Sequence, residues 1–455
     1  MNGRRCDLGE WRARTTFVLA LAAGAVGLGN LWRFPYLLGT QGGGAFMLTY
    51  LACLFLVAVP VMIAEVIIGT QGRAAPVGAL RWASDRSLLS RGWGLLGVLH
   101  CVSGLLVLAY LAVIAGWILA YAFYLFSGVF SAASAAQVGA EFQLFLSEPV
   151  RPGAWQAGFL LLVGVPLSLG VRRGLGPLVW LVIPVFLSLL LFLGWIGFQQ
   201  GDAVRTGEFL FSVKRVDFTP QSVLLAIAHA FFTLGVGVGV GITFGAYAPR
   251  RLPVGRSVLA VAVFDTLVAL LAGLAIYPLV FASNMAPASG PALLFIGLPY
   301  AFGNMLLGDV LGALFFLMAS LATLGTGAAL MEPSVGAVCQ WLSVRRPFAV
   351  LVVLFVVWGL GLAIIRALVT GGGASWYGDR NLLEFFDWMT AALLLPLVSL
   401  LTALFAGWRL RPEILRDYFG READLSFAGW RLLVRYVAPA VIGLIALSAL
   451  VPLRP

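Results

Sequence analysis

The sequence predicts an all-α integral membrane protein of eleven transmembrane helices, built as a 5+5 inverted repeat plus one extra helix, with helices one and six broken. Three observations carry that expectation. Hydrophobic residues make up 61% of the chain and charged residues 11%, with a mean hydropathy of +1.00, which excludes a soluble globule. Apolar runs of about 18 residues or more, each long enough to span a bilayer, recur from end to end. Glycines interrupt the first and the sixth of these runs at matching places.

The runs fall at about 15–38, 44–70, 92–126, 155–171, 176–199, 221–247, 254–283, 308–342, 346–370, 382–407 and 431–452. The first contains "GAVGLGNLWRFPYLLGT", which sets glycines, Asn30 and Arg33 at membrane depth. Each glycine costs a helix about 1 kcal/mol against alanine, and a charge at that depth costs about 2.5 kcal/mol or more. A segment that only anchored the chain would avoid both. The second run carries Glu65, and the fifth carries Pro184, which breaks its helix in any register. The sixth holds "FFTLGVGVGVGITFGAY", with Gly235, Gly237, Gly239 and Gly241 inside the span, and the seventh holds Asp265. The runs fill the chain, so a single domain is expected over 1–455. Repeat one covers about 11–200, repeat two about 218–410, and the extra helix about 431–452. The first run is long and further spans follow it, so no cleavable signal peptide is expected.

The basic excess, 29 Lys and Arg against 19 Asp and Glu, is topological rather than a nucleic-acid signal. All but eight of the basic residues fall on one side if the N-terminus is cytoplasmic; the eight are Arg33, Arg151, Arg205, Lys214, Arg215, Arg366, Arg380 and Arg454. That asymmetry orients the chain in a plasma (inner) membrane with its N-terminus inside and its C-terminus outside. Lipid is the expected partner and nucleic acid is not. Cys6, Cys53, Cys101 and Cys339 are scattered and suggest neither a disulfide framework nor a metal site.

Paired interruptions in two halves of a membrane protein point to a binding site between them. An unwound turn at membrane depth is tolerated only where it is buried or lines a cavity, and there it offers carbonyls to cations and amides to anions. Close helix packing accounts more simply for Gly24 and for Gly42 to Gly44. It does not account for Asn30 and Arg33 at one break with His229 and Thr233 at the other.

"GAVGLGNLWRFPY…GGGAF" resembles the first-helix signature of the neurotransmitter:sodium symporters, a family that includes the bacterial leucine transporter. That family is itself the type case of paired broken helices, so the interruptions and the resemblance are one observation rather than two. "PVMIAE" (60–65), "AGW" (115–117), "FFTLG" (231–235), "GPALLFIGLP" (290–299), "MEP" (331–333) and "FFDW" (385–388) extend the likeness over nearly the whole chain.

The resemblance implies two sodium ions beside a substrate. The first ion would take the Ala25 carbonyl, the Asn30 side chain, Thr233 and Asp265, oxygen ligands suited to a hard cation. The family usually has Asn at the Asp265 position, and chloride-independent relatives carry a carboxylate one turn later, where this chain has Ala269. Asp265 is therefore expected to supply both a ligand and the compensating negative charge, with no chloride. A protonated Asp265 in a structural hydrogen bond is the alternative. The second ion would use the carbonyls of Ala23, Val26 and Ala322 with the Thr326 hydroxyl. Gly325 stands where the family has a further side-chain ligand, so this site would be weak, completed by water, or rearranged to use Thr323. Gly174 and Pro184, with nine residues between them, resemble a family element that admits cytoplasmic water to this ion.

The same likeness places a substrate among Ala25, Gly27, Leu28, Gly29, Phe232, Thr233 and Gly235, with Val107, Leu111, Val238, Thr326 and Leu330 around its side chain. Amides of Leu28 and Gly29 suit a carboxylate, and carbonyls of Ala25, Phe232, Thr233 and Gly235 suit an ammonium. Gly27 stands where monoamine carriers have Asp, which implies a zwitterion; Leu111 stands where amino-acid carriers have Tyr, and Tyr110 is beside it. Arg33 and Asp387 match an extracellular ion-pair gate, with Phe232 as its lid and His229 as a neighbour of either packing or pH-sensing role. At the opposite end the family's gating Arg and Asp are Leu8 and Gln340, which implies closure by Arg4, Arg5 or packing of Trp11. Glu65 is read as a structural anchor of the breaks.

The resulting expectation is a sodium-coupled symporter that imports a large aliphatic or aromatic amino acid by alternating access. The alternatives are a carrier of the same fold for a non-amino-acid organic solute, or a non-transporting sensor. An enzyme is not expected, since His100, His229 and the scattered carboxylates do not form an acid–base or metal set. The oligomeric state is not legible.

Overall fold

The computed structural model describes residues 9–249, 252–287, 290–370, 380–419 and 424–450. Leu8, Arg4, Arg5 and Cys6 lie outside them. Among the described residues the chain is helical throughout, with no strand. The first span runs Arg14–Ala25 and then Gly29–Thr40, bent by 58° at the break. Spans two and three are Gly44–Gly72 and Arg91–Phe126. Helix continues over Val150–Gln200, which at 1.5 Å per residue would reach roughly 77 Å, over twice the hydrocarbon thickness. It is two spans, because the chain turns at Gly170, whose φ of +84° breaks the helix before Gly176–Gln200 begins. Span six is split into Pro220–Leu234 and Val240–Ala246. Spans seven to ten are Val254–Ala282, Gly308–Leu342, Arg346–Thr370 and Leu382–Arg409.

The last span begins earlier than the sequence suggests, at Asp424 rather than about 431. Its first turns carry polar residues that a hydropathy window rejects, yet Trp430 is buried there and donates its indole N–H to the Pro60 carbonyl at 3.0 Å. Cys53 and Cys101 are free, whereas Cys339 is disulfide-bonded, which the scattered spacing gave no sign of.

The two breaks sit at the centre because the spans around them are the most buried. The apolar windows of spans two and three are 72% buried, against 33% for the apolar window within Val150–Gln200. At the second break Gly235, Gly237 and Gly239 all have φ between +64° and +86°. Only glycine adopts that region without strain, which explains the alternating Gly–Val sequence. Glu65, fully buried on span two, accepts the Gly237 N–H at 2.8 Å, and Gly241 packs on its other oxygen so closely that a Cβ would lie 2.8 Å away. His100 lies 4.0 Å from the same carboxylate and bonds Thr402 at 3.0 Å. The side chain read as an anchor of the breaks does hold the second one.

Glu65→Ala should therefore leave a buried amide without an acceptor, a loss of about 2 kcal/mol or more. Glu65→Gln keeps an acceptor and should lose less. Thermal unfolding of the two variants in detergent checks this; a wild-type midpoint for Glu65→Ala would contradict the anchoring role.

Candidate functional site

The first break places its polar residues by opening the helix rather than ending it. Ala25 closes the first half-helix, Val26 is extended at φ −71° and ψ 111°, and Gly29–Arg33 forms one widened turn in which the Phe34 N–H reaches back to the Gly29 carbonyl. The Asn30 side chain folds under this turn, its Oδ1 accepting the Gly27 N–H at 3.0 Å. Its amide donates to the Asp265 carboxylate at 2.7 Å and to the Asp265 backbone carbonyl at 3.2 Å. The Thr233 hydroxyl, from the second break, donates to the other Asp265 oxygen at 2.7 Å. Asn30 and Asp265 are wholly buried and Thr233 is 3% exposed. One carboxylate on span seven thus ties the two broken spans together, and three of the four residues read as the first ion site meet there. Ala25 and Thr233 line the cavity beside it. The oxygens of Asn30, Thr233 and Asp265 each keep a lone pair, so the set fits a hard monovalent cation.

A second oxygen cluster lies nearby. The Thr326 hydroxyl bonds the Val26 carbonyl at 3.0 Å and the Ala322 carbonyl at 3.2 Å. A Cβ on Gly325 would come within 2.8 Å of the Ala23 carbonyl. The oxygens read as the second ion site therefore converge, and Gly325 leaves no side-chain ligand because the Ala23 carbonyl fills its space. The Thr323 hydroxyl donates to the Ser320 carbonyl of its own helix at 2.9 Å.

Between the breaks lies a cavity lined by Ala25, Gly27, Leu28, Gly29, Val107, Leu111, Phe232, Thr233, Gly235, Val238, Thr326 and Leu330, together with Gly24, Asn30 and Leu395. Every residue read as substrate-binding is there except Tyr110, which lines the vestibule above instead, with its buried hydroxyl unpartnered. That is the 100° helical offset from Leu111 expressed in space. Leu395 was missed because nothing in "LLLPLVSL" distinguishes it from a lipid-facing leucine. Gly27 has a local reason to be glycine: a Cβ there would sit 2.7 Å from the Thr326 hydroxyl. Gly24, also on the cavity wall, packs against Ala329, in keeping with its reading as a packing glycine.

The vestibule shares Leu28, Gly29, Leu111 and Phe232 with the pocket. Arg33 and Asp387 meet across it at 3.4 Å, with exposures of 27% and 36%, and the Arg33 guanidinium lies 5.3 Å above the Phe232 ring. The three residues read as gate form one stack. His229 stands apart from the ion pair, wedged between Phe34 and Tyr50 at 5.4 and 5.6 Å, with neither ring nitrogen bonded.

The opposite end is tightly closed. Trp11 is 3% exposed, donates its indole N–H to Phe244 at 3.2 Å, and packs edge-on against Phe244 and Tyr247. Arg73 bonds the carbonyls of Ala246 and Ala248. Tyr247 donates to Glu332 at 2.5 Å, and Arg346 pairs with both Glu332 oxygens at 2.5–2.6 Å. Of the closures expected for this end, Trp11 packing is present. The Tyr247–Glu332–Arg346 cluster was missed, because Arg346 lies on the next span and counted only as a topological charge. Gln340 does not pair with a cation; it accepts the Ala75 N–H at 3.2 Å.

Comparison with known proteins gives four findings. Residues 8–138 and 156–455 match the model of the sodium:neurotransmitter symporter family. A Bacillus subtilis protein described as the uncharacterized sodium-dependent transporter YhdH is 30% identical over 442 residues, 96% of this chain and 97% of its own length. The sodium-dependent dopamine transporter of Bos taurus is 26% identical over 503 residues, 99% of this chain and 70% of its own. Among solved structures, MhsT in complex with L-phenylalanine aligns with a TM-score of 0.89 at 31% identity, covering 97% of this chain and 99% of that one.

The half-exposed Arg33–Asp387 pair should contribute less than about 1 kcal/mol to stability. Asp387→Ala should thus keep the wild-type melting temperature while slowing solute transport. A charge-neutral double variant should be less impaired than either single one, since each single substitution leaves an unpaired charge and the double one leaves none. Strictly additive transport defects would show that the two side chains do not act together.

Proposed function

This chain belongs to the sodium:neurotransmitter symporter family, and we propose that it imports a hydrophobic amino acid, aliphatic or aromatic, with sodium and without chloride. Family membership makes it a sodium-dependent, multi-pass membrane transporter of a small solute. The choice of solute rests on the pocket, whose wall among the described residues bears no ionisable side chain. Such a wall favours a solute without net charge at its distal end, and one that brings its own opposite charges to the backbone groups of the breaks. Val107, Leu111, Val238, Leu330 and Leu395 suit a bulky apolar side chain. The phenylalanine bound to MhsT, which shares this fold at 31% identity, supports the same size class.

The observation that carries the coupling is the Asn30–Asp265–Thr233 junction. Sodium held there by Ala25, Asn30, Thr233 and Asp265 would neutralise the buried carboxylate and fix both breaks at once, which shapes the solute site between them. Ala269, buried one turn along span seven, offers no charge, so Asp265 supplies the anion that makes chloride unnecessary. A second sodium would sit among Ala23, Val26, Ala322 and Thr326 with one protein ligand fewer, and would bind more weakly. The basic asymmetry supports a cytoplasmic position for the Trp11 end. A non-amino-acid organic solute is the second reading, favoured by Leu111, which gives the pocket no hydroxyl for a carboxylate.

Replacing sodium by choline should lower the affinity for L-phenylalanine or L-leucine at least tenfold; equal affinity in both salts would remove the coupling. Loss of sodium-dependent binding for every amino acid, with an organic amine or acid binding instead, would favour the second reading. Uptake in gluconate should match uptake in chloride at equal sodium. Asp265→Asn should weaken sodium binding at least tenfold, and an unaltered sodium affinity would exclude Asp265 as a ligand.

A further inference from the structure

A second cavity lies at the Trp11 end, away from the pocket, where the base of span one meets span five. Arg12 and Arg172, both exposed, are among the residues that line it. Its wall is Trp11, Thr16 and Gly176, and Trp180 closes the lipid side. The Trp180 indole N–H is satisfied by the Thr16 hydroxyl at 3.1 Å, while 53% of the residue remains exposed on a span that faces lipid. Arg172 touches only the Glu10 backbone carbonyl, at 3.4 Å, and neither arginine has a carboxylate partner among the described residues. Both arginines are exposed and stand at span ends, Arg12 before the helix that starts at Arg14 and Arg172 in the turn between spans four and five.

Two unpaired guanidiniums at the membrane surface, a pocket between helices and a lipid-facing indole are the elements of a headgroup site. A soluble anion would use the arginines but not Trp180. We propose that this cavity holds the phosphate headgroup of an anionic membrane lipid, gripped by Arg12 and Arg172, with its acyl chains running past Trp180. Occupancy there buttresses the base of span one, whose Trp11 forms one wall of the cavity and also packs on Phe244 and Tyr247. The site is independent of the solute reading, and its test uses no transport measurement.

The full-length protein is reconstituted in phosphatidylcholine vesicles carrying a rising fraction of brominated phosphatidylglycerol or, in parallel, brominated phosphatidylcholine. The Trp180 signal is the difference in fluorescence between wild type and Trp180→Phe. One arginine beside an anionic headgroup is worth about a factor of five, so phosphatidylglycerol should quench this signal at a mole fraction at least tenfold lower. In Arg12→Gln/Arg172→Gln, whose exposed side chains carry no packing, the two lipids should quench alike. Equal quenching by the two lipids in the wild type would overturn the proposal, as would a preference that survives the double substitution. Loss of the preference in millimolar inorganic phosphate would also overturn it, assigning the cavity to a soluble anion instead.

Discussion

One buried carboxylate holds this molecule's two irregularities in register. Asp265 gives one oxygen to the amide of Asn30 and the other to the hydroxyl of Thr233; Asn30 lies in the widened turn of span one and Thr233 in the last helical turn before the break of span six. Each break taken alone is a defect, with backbone groups freed in a medium that cannot hydrate them. The cost is offset because the freed groups find fixed partners: Asn30 caps Gly27, Glu65 caps Gly237, and Asp265 joins the two. The breaks are thereby rigid relative to each other while their remaining carbonyls and amides face a shared cavity. That combination is what a site for an ion and a solute needs.

The two ends of the molecule are held with different strength. On the Trp11 side Tyr247, Glu332 and Arg346 form a buried cluster, and removing one member of a buried charge pair costs about 3–5 kcal/mol. On the Asp387 side a single ion pair at 3.4 Å spans a wide vestibule and rests on Phe232. The structure thus shows the arrangement in which the pocket is reached past Arg33. Opening the other end requires Trp11 to leave Phe244 and Tyr247 and the Glu332 cluster to rearrange, a change that ion and solute occupancy must bias through the same half of span six.

Span positions were legible because apolar length and turn residues report directly on membrane crossing, and the glycines of the second break read as breaks because their φ values admit little else. Pocket residues were legible as positions within a motif, which is why Val107, Leu111 and Thr326 fell into place. What failed involved distance between spans. Fourteen residues separate Glu332 from Arg346, and no local pattern says that a salt bridge closes over them. Tyr110 and Leu111 are neighbours in sequence, yet Leu111 reaches the pocket and Tyr110 lines only the vestibule, a difference that the helix rotation decides. The start of span eleven was blurred because an amphipathic first turn hides it from hydropathy.

The central claim is that sodium and the amino acid are read by one carboxylate-centred junction, and linkage makes that measurable from the ion's side. Equilibrium binding of radioactive sodium to the purified protein should tighten when L-phenylalanine is added, by the same factor that sodium tightens phenylalanine. That reciprocal gain should vanish in Asp265→Asn. Sodium binding that is indifferent to the amino acid in the wild type, or a full reciprocal gain in Asp265→Asn, would contradict the account.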